Sequence, residues 1–155
     1  MVHDKQSKAA SKKPVVVLGV IGNDIHVVAN RVLEICLNES GIQTINLGTN
    51  TKPQEFVDVA LECSADVVLI GSLNGEAQHW CYNIRTLFIN REIGNTLIYL
   101  GGNLLTGSAT SEDVFDVFKD FRIDRLFHGE TDFDNIIKLI KKDILKNELS
   151  EYRCA

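Results

Sequence analysis

Two prolines, one tryptophan and one methionine are all that the 155 residues contain of those three types. Glycine, at 11 residues, is not abundant either, which excludes a collagen-like repeat or a Gly/Pro-rich linker protein. No apolar run approaches the roughly 18 residues that a spanning helix requires. The N-terminal "MVHDKQSKAASKK" lacks the apolar core of a secretory signal. Four cysteines occur, Cys36, Cys63, Cys81 and Cys154, and no two form a CxxC pair. That argues against a disulfide framework or a zinc ribbon and leaves them as small buried hydrophobes in a reducing compartment. A basic excess is missing too: the formal charge is -5, which argues against nucleic acid as a partner. These absences together predict a cytoplasmic protein with neither a nucleic-acid nor a membrane partner.

What remains is an ordinary globular composition, 45% hydrophobic and 24% charged, in a chain long enough for one well-buried core. Residues 1–13 are polar and Lys-rich and predict a disordered tail. From Pro14 onward, short β-branched runs alternate with helical periodicity five times. The strands read as "VVVLGV" from Val15, "QTINLG", "DVVLIG", "TLIYLGG" and the short "RLFH". The first helix, from about Val27 to Ser40, carries an apolar stripe of Val28, Val32, Ile35 and Cys36 and stops at Gly41. The second opens near Pro53 and is expected to bury Phe56, Val57, Ala60 and Leu61. A third begins at Ser111 behind a Thr110/Asp113 capping box. The last runs from about Phe133 to Lys146, leaving 148–155 as a frayed tail. Strands one and three are apolar throughout, as in a parallel sheet covered on both faces. The expectation is a single α/β domain over 14–147, doubly wound and five-stranded, with flavodoxin-like order 2-1-3-4-5.

Ligands of such sheets bind beyond the carboxyl ends of the strands, near the switch point between strands one and three. The least generic loops fall there: "GNDIH" after strand one, "GSLNG" after strand three and "GGNLLTG" after strand four. Their glycines, Gly71, Gly75, Gly101, Gly102 and Gly107, would let backbone approach a ligand closely, or would merely serve tight turns. Asp24 and His26 admit two readings. In extended or turn backbone, residues two apart point the same way, so Asp24 could hold one imidazole nitrogen and fix the other for a metal or a proton. Alternatively Asp24 caps the helix and His26 is incidental.

Several tenants of this fold fail on motif. A phosphoacceptor Asp is missing after strand three, where Gly71 and Ser72 stand, and His128 stands where a receiver domain has Lys. Neither GxGxxG nor a GxSxG elbow occurs, and the first loop is not the Ser/Thr-rich phosphate loop of flavodoxins. A simple metal site from His26, His79 and His128 with Cys81 matches no standard zinc spacing.

With Asp24-x-His26, "SLNG" at Ser72–Gly75, "GGN" after strand four and the unit "GTNTKPQEFVDVALECSADVVLIGSL", the chain resembles the small, cobalamin-binding subunit of glutamate mutase over nearly all of 14–146. The resemblance implies adenosylcobalamin as cofactor, His26 as the lower axial ligand of cobalt and Asp24 behind it on the other imidazole nitrogen. It implies a slot for the displaced nucleotide tail between strands one and three, lined by Ser72, Leu73, Gly101, Gly102 and Asn103. The cofactor-binding set expected on this basis is Asn23, Asp24, Ile25, His26, Val27, Ala29, Gly71, Ser72, Leu73, Gly101, Gly102, Asn103, Leu104, Leu105 and Gly107. It implies a partner as well, a large barrel-type mutase subunit carrying the substrate site, so the chain alone should turn over nothing. In agreement, no arginine cluster suited to a dicarboxylate appears in the three loops. Arg31 and Arg85 read as solvated or interfacial.

Two departures stand out. The family pattern continues Asp-x-His-x-x-Gly, and here the last position is Ala29. Its Ser-x-Leu motif has Gly71 in place of the serine that hydrogen-bonds the displaced base. The alternatives are the cobalamin module of another mutase, a methyl carrier, or a non-catalytic cobalamin-binding regulatory protein. Methyl carriers usually have a helical cap before the fold, whereas 13 polar residues precede strand one here. The adjacent valines after His26 also make a poor helix start, so the segment 26–28 is expected to order on cofactor binding.

Overall fold

The structure, a computed structural model, describes residues 12–154. The disordered tail expected over 1–13 thus lies almost wholly outside the described residues; Lys12 and Lys13 are exposed and irregular. Five strands form one parallel sheet: β1 (Val15–Val20), β2 (Gln43–Asn46), β3 (Val67–Ser72), β4 (Leu97–Gly102) and β5 (Arg125–His128). Six helices connect and follow them: α1 (Val28–Glu39), α2 (Pro53–Cys63), α3 (Ala77–Cys81), α4 (Ile84–Asn90), α5 (Ser111–Phe118) and α6 (Phe133–Cys154). The order is β2-β1-β3-β4-β5, as the alternation of apolar runs predicts. Chain reversal between β1 and β3 places the switch point beside the loop that carries Asp24 and His26.

Strand alternation sends side chains to two cores. On one face Val15, Val17, Val68, Ile70, Ile98 and Leu100 pack against Phe56, Val57, Ile84, Phe88, Val114 and Phe118 of α2, α4 and α5. On the other, Val16, Leu18, Val67, Leu69 and Tyr99 meet Leu37 of α1 and Ile136, Ile137, Ile140 and Ile144 of α6. Both faces of β1 are fully covered, which is why its sequence is an unbroken apolar run.

Several helical expectations need correction. The stripe Val28–Val32–Ile35 of α1 faces solvent, with Val28 74% exposed, and the inward face is Asn30, Leu33 and Leu37. Apolar residues occupy both sides of this helix, so periodicity alone could not choose between them. In α2, Leu61 is exposed while Phe56, Val57 and Ala60 are buried. Helix α6 continues well past Lys146 to Cys154 in place of a fray. Its last turns are tied to the loop before β4, where Asn95 Nδ2 donates to Glu151 Oε1 and Asn147 Nδ2 donates to the Asn95 carbonyl. Of the cysteines, Cys81 is buried, whereas Cys36 and Cys63 are half-buried. No helix among the described residues is long and apolar enough to cross a membrane.

Candidate cofactor site

After β1 the chain is kept out of helix by its neighbours. Ile21 forms a bridge with Thr51, the Gly22 amide donates to the Thr51 carbonyl at 2.8 Å, and the Asn50 amide donates to the Asp24 carbonyl at 3.0 Å. Trp80 covers this turn so closely that a Cβ on Gly22 would meet its indole at 2.2 Å. Its Nε1 donates to Glu76 Oε2 at 3.3 Å, and His79 sits edge-on to it at 5.0 Å. The "HWC" segment is accordingly a lid on the turn. Burial pushes the Cys81 thiol up to about 12, so that sulfur is inert at neutral pH.

Held extended, Asp24 and His26 point the same way. Asp24 Oδ1 lies 2.5 Å from His26 Nδ1 and accepts the His26 amide at 3.0 Å. Oδ2 accepts the amides of Leu73 at 2.6 Å and Asn74 at 3.1 Å, across the switch point. Burial alone would raise the Asp24 carboxyl, but the donors at His26, Leu73 and Asn74 outweigh it and hold the group below the usual carboxylate range. The carboxylate is therefore ionised and accepts a hydrogen bond from Nδ1–H, which leaves Nε2 as the outward ring nitrogen. The Asp24 side chain is 0% exposed and that of His26 58%, so the imidazole projects outward from a buried anchor. The helix-capping alternative is excluded, because α1 starts on Val27 with no side-chain cap.

Next to this junction, with Leu73 in its lining, a slot of about 200 Å³ runs between the strands and α1 and α6. Its upper row follows one line of register, Val20–Gly71–Gly101–Phe127, and the row below is Leu18–Leu69–Tyr99. Ala29, Asn30 and Leu33 form the α1 wall; Gly129, Thr131, Phe133 and Ile136 form the opposite one. At the bottom, the Tyr99 hydroxyl donates to Asp143 Oδ2 at 2.5 Å, and Arg125 donates to the same carboxylate through Nε at 2.6 Å and Nη2 at 2.8 Å. The Arg125 guanidinium holds Asp143 below its ordinary range, while burial, reinforced by Asp143, raises the Tyr99 hydroxyl.

Of the residues singled out by sequence, Ala29, Gly71, Leu73, Gly101 and Gly102 line the slot. Gly102 has φ +122 and lies against the Ser72 carbonyl, where a Cβ would come within 2.3 Å, so no other residue fits. Asn23, Ile25 and Val27 are exposed around His26. Asn103 Nδ2 reaches the Leu73 carbonyl at 3.5 Å. Ser72 is buried on the opposite sheet face, and Leu104 and Leu105 pack into the core there. The Leu104 amide donates to His128 Nδ1 at 3.2 Å, and Gly107 lies in the exposed loop beyond. Sequence reading missed Asn30, Leu33 and the side from Phe127 to Ile136. The available signal was β5 as the neighbour of β4, which brings the loop after "RLFH" to the same edge. Arg85 is no interfacial cation: it is buried, paired with Asp124, and donates to the carbonyls of Gly94, Thr96 and Arg122. Among the described residues no three His, Cys, Asp or Glu side chains gather into a metal cluster, so His26, His79, His128 and Cys81 form no joint site.

The family described as B12 binding domain matches residues 14–121. Over 133 residues the chain is 36% identical to the glutamate mutase sigma subunit of Escherichia coli O157:H7, covering 86% of this chain and 89% of that one. The chain belongs to the glutamate mutase sigma subunit family. A sigma subunit from Carboxydothermus hydrogenoformans is 38% identical over 128 residues, 83% of this chain and 93% of its own. The one from Clostridium cochlearium is 33% identical over 133 residues, 86% and 97%. Solved structures carry the fold of this sigma-family chain at much lower identity. A cobalamin-binding protein from Desulfitobacterium hafniense DCB-2 superposes with TM-score 0.68 at 16% identity, over 84% of this chain and 59% of that longer one. The receiver domain of NarL from Mycobacterium tuberculosis superposes with TM-score 0.58 at 14% identity, over 86% and 97%.

Proposed function

We propose that this chain is the cobalamin-binding small subunit of an adenosylcobalamin-dependent carbon-skeleton mutase converting glutamate to threo-3-methylaspartate in the cytoplasm, with the substrate site on a separate barrel-type large subunit. The observation that carries the reading is the Asp24–His26 pair, an outward imidazole held by a buried carboxylate whose partner Leu73 lines an apolar slot. Sigma-family relatives at 32–38% identity support the mutase over the methyl-carrier and regulatory alternatives. The slot fits the displaced tail of a corrinoid, because Gly71 and Gly101 leave open a trough that side chains could otherwise fill.

When bound, adenosylcobalamin supplies a weak cobalt–carbon bond whose cleavage starts radical chemistry on the substrate. The chain's own work is binding and orientation. His26 would hold the cobalt through Nε2, and Asp24 keeps the Nδ1 proton in place and the ring aimed. The rows Val20–Gly71–Gly101 and Leu18–Leu69–Tyr99 shed water from the slot. Ile25 and Val28, 72% and 74% exposed beside His26, continue along α1 as Val32 and Ile35. This apolar surface, contiguous with the imidazole, suits cover by the corrin edge and the large subunit. Neither Arg31, paired with Glu34, nor the buried Arg85 is free to hold the substrate's carboxylates, in keeping with a substrate site on the partner.

The test is the electron paramagnetic resonance spectrum of cob(II)alamin with nitrogen-15-labelled protein. A two-line nitrogen-15 splitting is expected for the wild type and is lost in His26→Gly. Splitting from the cofactor's own base in both proteins would remove His26 as the ligand. Turnover of glutamate is expected only after a large mutase subunit is added; turnover by the chain alone would overturn the division of labour.

A further inference from the structure

Gly71 and Gly101 lie inside strands, where glycine weakens a sheet and marks close approach by something else. Neither needs a positive φ. A Cβ on Gly71 would meet nothing nearer than the Gly19 carbonyl oxygen at 3.6 Å and Val20 Cγ2 at 3.7 Å; one on Gly101 would meet Phe127 Cβ at 3.4 Å. The protein's own packing therefore tolerates a side chain at 71. The space in front of it is open and forms part of the slot.

What that space lacks is a side-chain hydroxyl free to donate. Three polar side chains border the slot, and each donates within the protein. Asn30 Nδ2 donates to Asn46 Oδ1 at 2.7 Å, Thr131 Oγ1 to the Gly129 carbonyl at 3.2 Å, and the Tyr99 hydroxyl to Asp143. The neighbouring hydroxyl, Ser72 Oγ, is fully buried with no partner among the described residues. By strand alternation it shares the face of Val68 and Ile70, away from the slot. A hydroxyl at position 71, by contrast, would face the slot directly.

We propose that Gly71 sets the selectivity of the slot for the lower base of the corrinoid. The slot reads the nucleotide tail by shape and apolar contact, with no hydroxyl donating to a ring nitrogen. It admits a corrinoid carrying a phenolic base at least as readily as one carrying a benzimidazole. This rests on the cobalamin reading of the site given above.

The experiment is an absorbance titration of the full chain, wild type, Gly71→Ser and Gly71→Ala, with cobalamin and with the cobamide whose base is p-cresol. Detaching benzimidazole from cobalt costs the same for every variant, so it cancels when variants are compared. For the wild type, the phenolic corrinoid binds at least as tightly; a benzimidazole preference above about fivefold overturns the proposal without any variant. Gly71→Ser is expected to move the affinity ratio towards benzimidazole by about fivefold to tenfold, the worth of one hydrogen bond, and Gly71→Ala by less than about twofold. An unmoved ratio in Gly71→Ser, with both corrinoids bound, overturns this proposal alone. Failure of the wild type to bind either corrinoid overturns it together with the function proposed above.

Discussion

Helices α1 and α5 both leave the carboxyl edge of the sheet, yet they begin in opposite ways. At α5 the Asp113 amide donates to Thr110 Oγ1 at 3.2 Å and the Thr110 amide donates to Asp113 Oδ2 at 2.7 Å, a complete capping box. At α1 the cap is Val27, with no side-chain acceptor and no acidic residue in the first turn. The carboxylate that could have served, Asp24, faces His26 and the amides of Leu73 and Asn74 instead. A helix start has been left weak so that a side chain beside it can be aimed. Local rules fail where the site is, as expected when orientation and stability compete for one residue.

The contrast breaks most sharply at Asp24. Asp24→Ala leaves the Leu73 and Asn74 amides without an acceptor and releases the imidazole. The expected cost is about 2–4 kcal/mol in urea denaturation and roughly 10- to 100-fold in cobalamin affinity. A stability loss with unchanged affinity would make Asp24 purely structural. Acid should loosen the same junction. The native Asp24 carboxyl is held below its ordinary value, so as pH falls the unfolded chain takes up this proton first and unfolding gains. The contribution is whole above about pH 4 and disappears as pH drops through the native value. The Leu73 amide shift, followed by nuclear magnetic resonance, should report that step and lose it in Asp24→Asn; a step above about pH 5 would contradict the assignment. The smallest effects lie at the caps. Thr110→Ala should cost about 1 kcal/mol of stability with cobalamin affinity unchanged, whereas Val27→Ser should add about 0.5–1 kcal/mol and slow amide exchange through the first turn of α1. Equal exchange in Val27→Ser and wild type would mean that the start of α1 is not underspecified after all.

The same contrast marks what could be read from the sequence. The strands and their order were legible because β1 and β3 are apolar on both faces, and only a doubly covered parallel sheet requires that. Asp24 and His26 were legible as a pair because their spacing suits extended backbone. Which backbone they adopt was not, since Thr51, Asn50 and Trp80 impose it through contacts with Gly22 and Asp24 that span 26 to 58 residues. The burial of α1 was misread because Val28, Val32 and Ile35 repeat at helical spacing just as Leu33 and Leu37 do. Periodicity reports an apolar stripe and not what covers it. The far wall of the slot was missed for a related reason: Gly129, Thr131 and Phe133 carry no motif and matter only through the position of β5 in the sheet.

One carboxylate spanning two loops has a consequence for transplanting the site. Asp24 reads amides at Leu73 and Asn74, 49 and 50 residues downstream. The four letters "NDIH" are thus not a portable cassette. Grafted alone onto another sheet of this type, they would lose two of the donors that keep the acid charged, and the ring would swing. A designer would have to move the turn after β3 in the same step, and lineages that modify one loop would be held to compensating changes in the other.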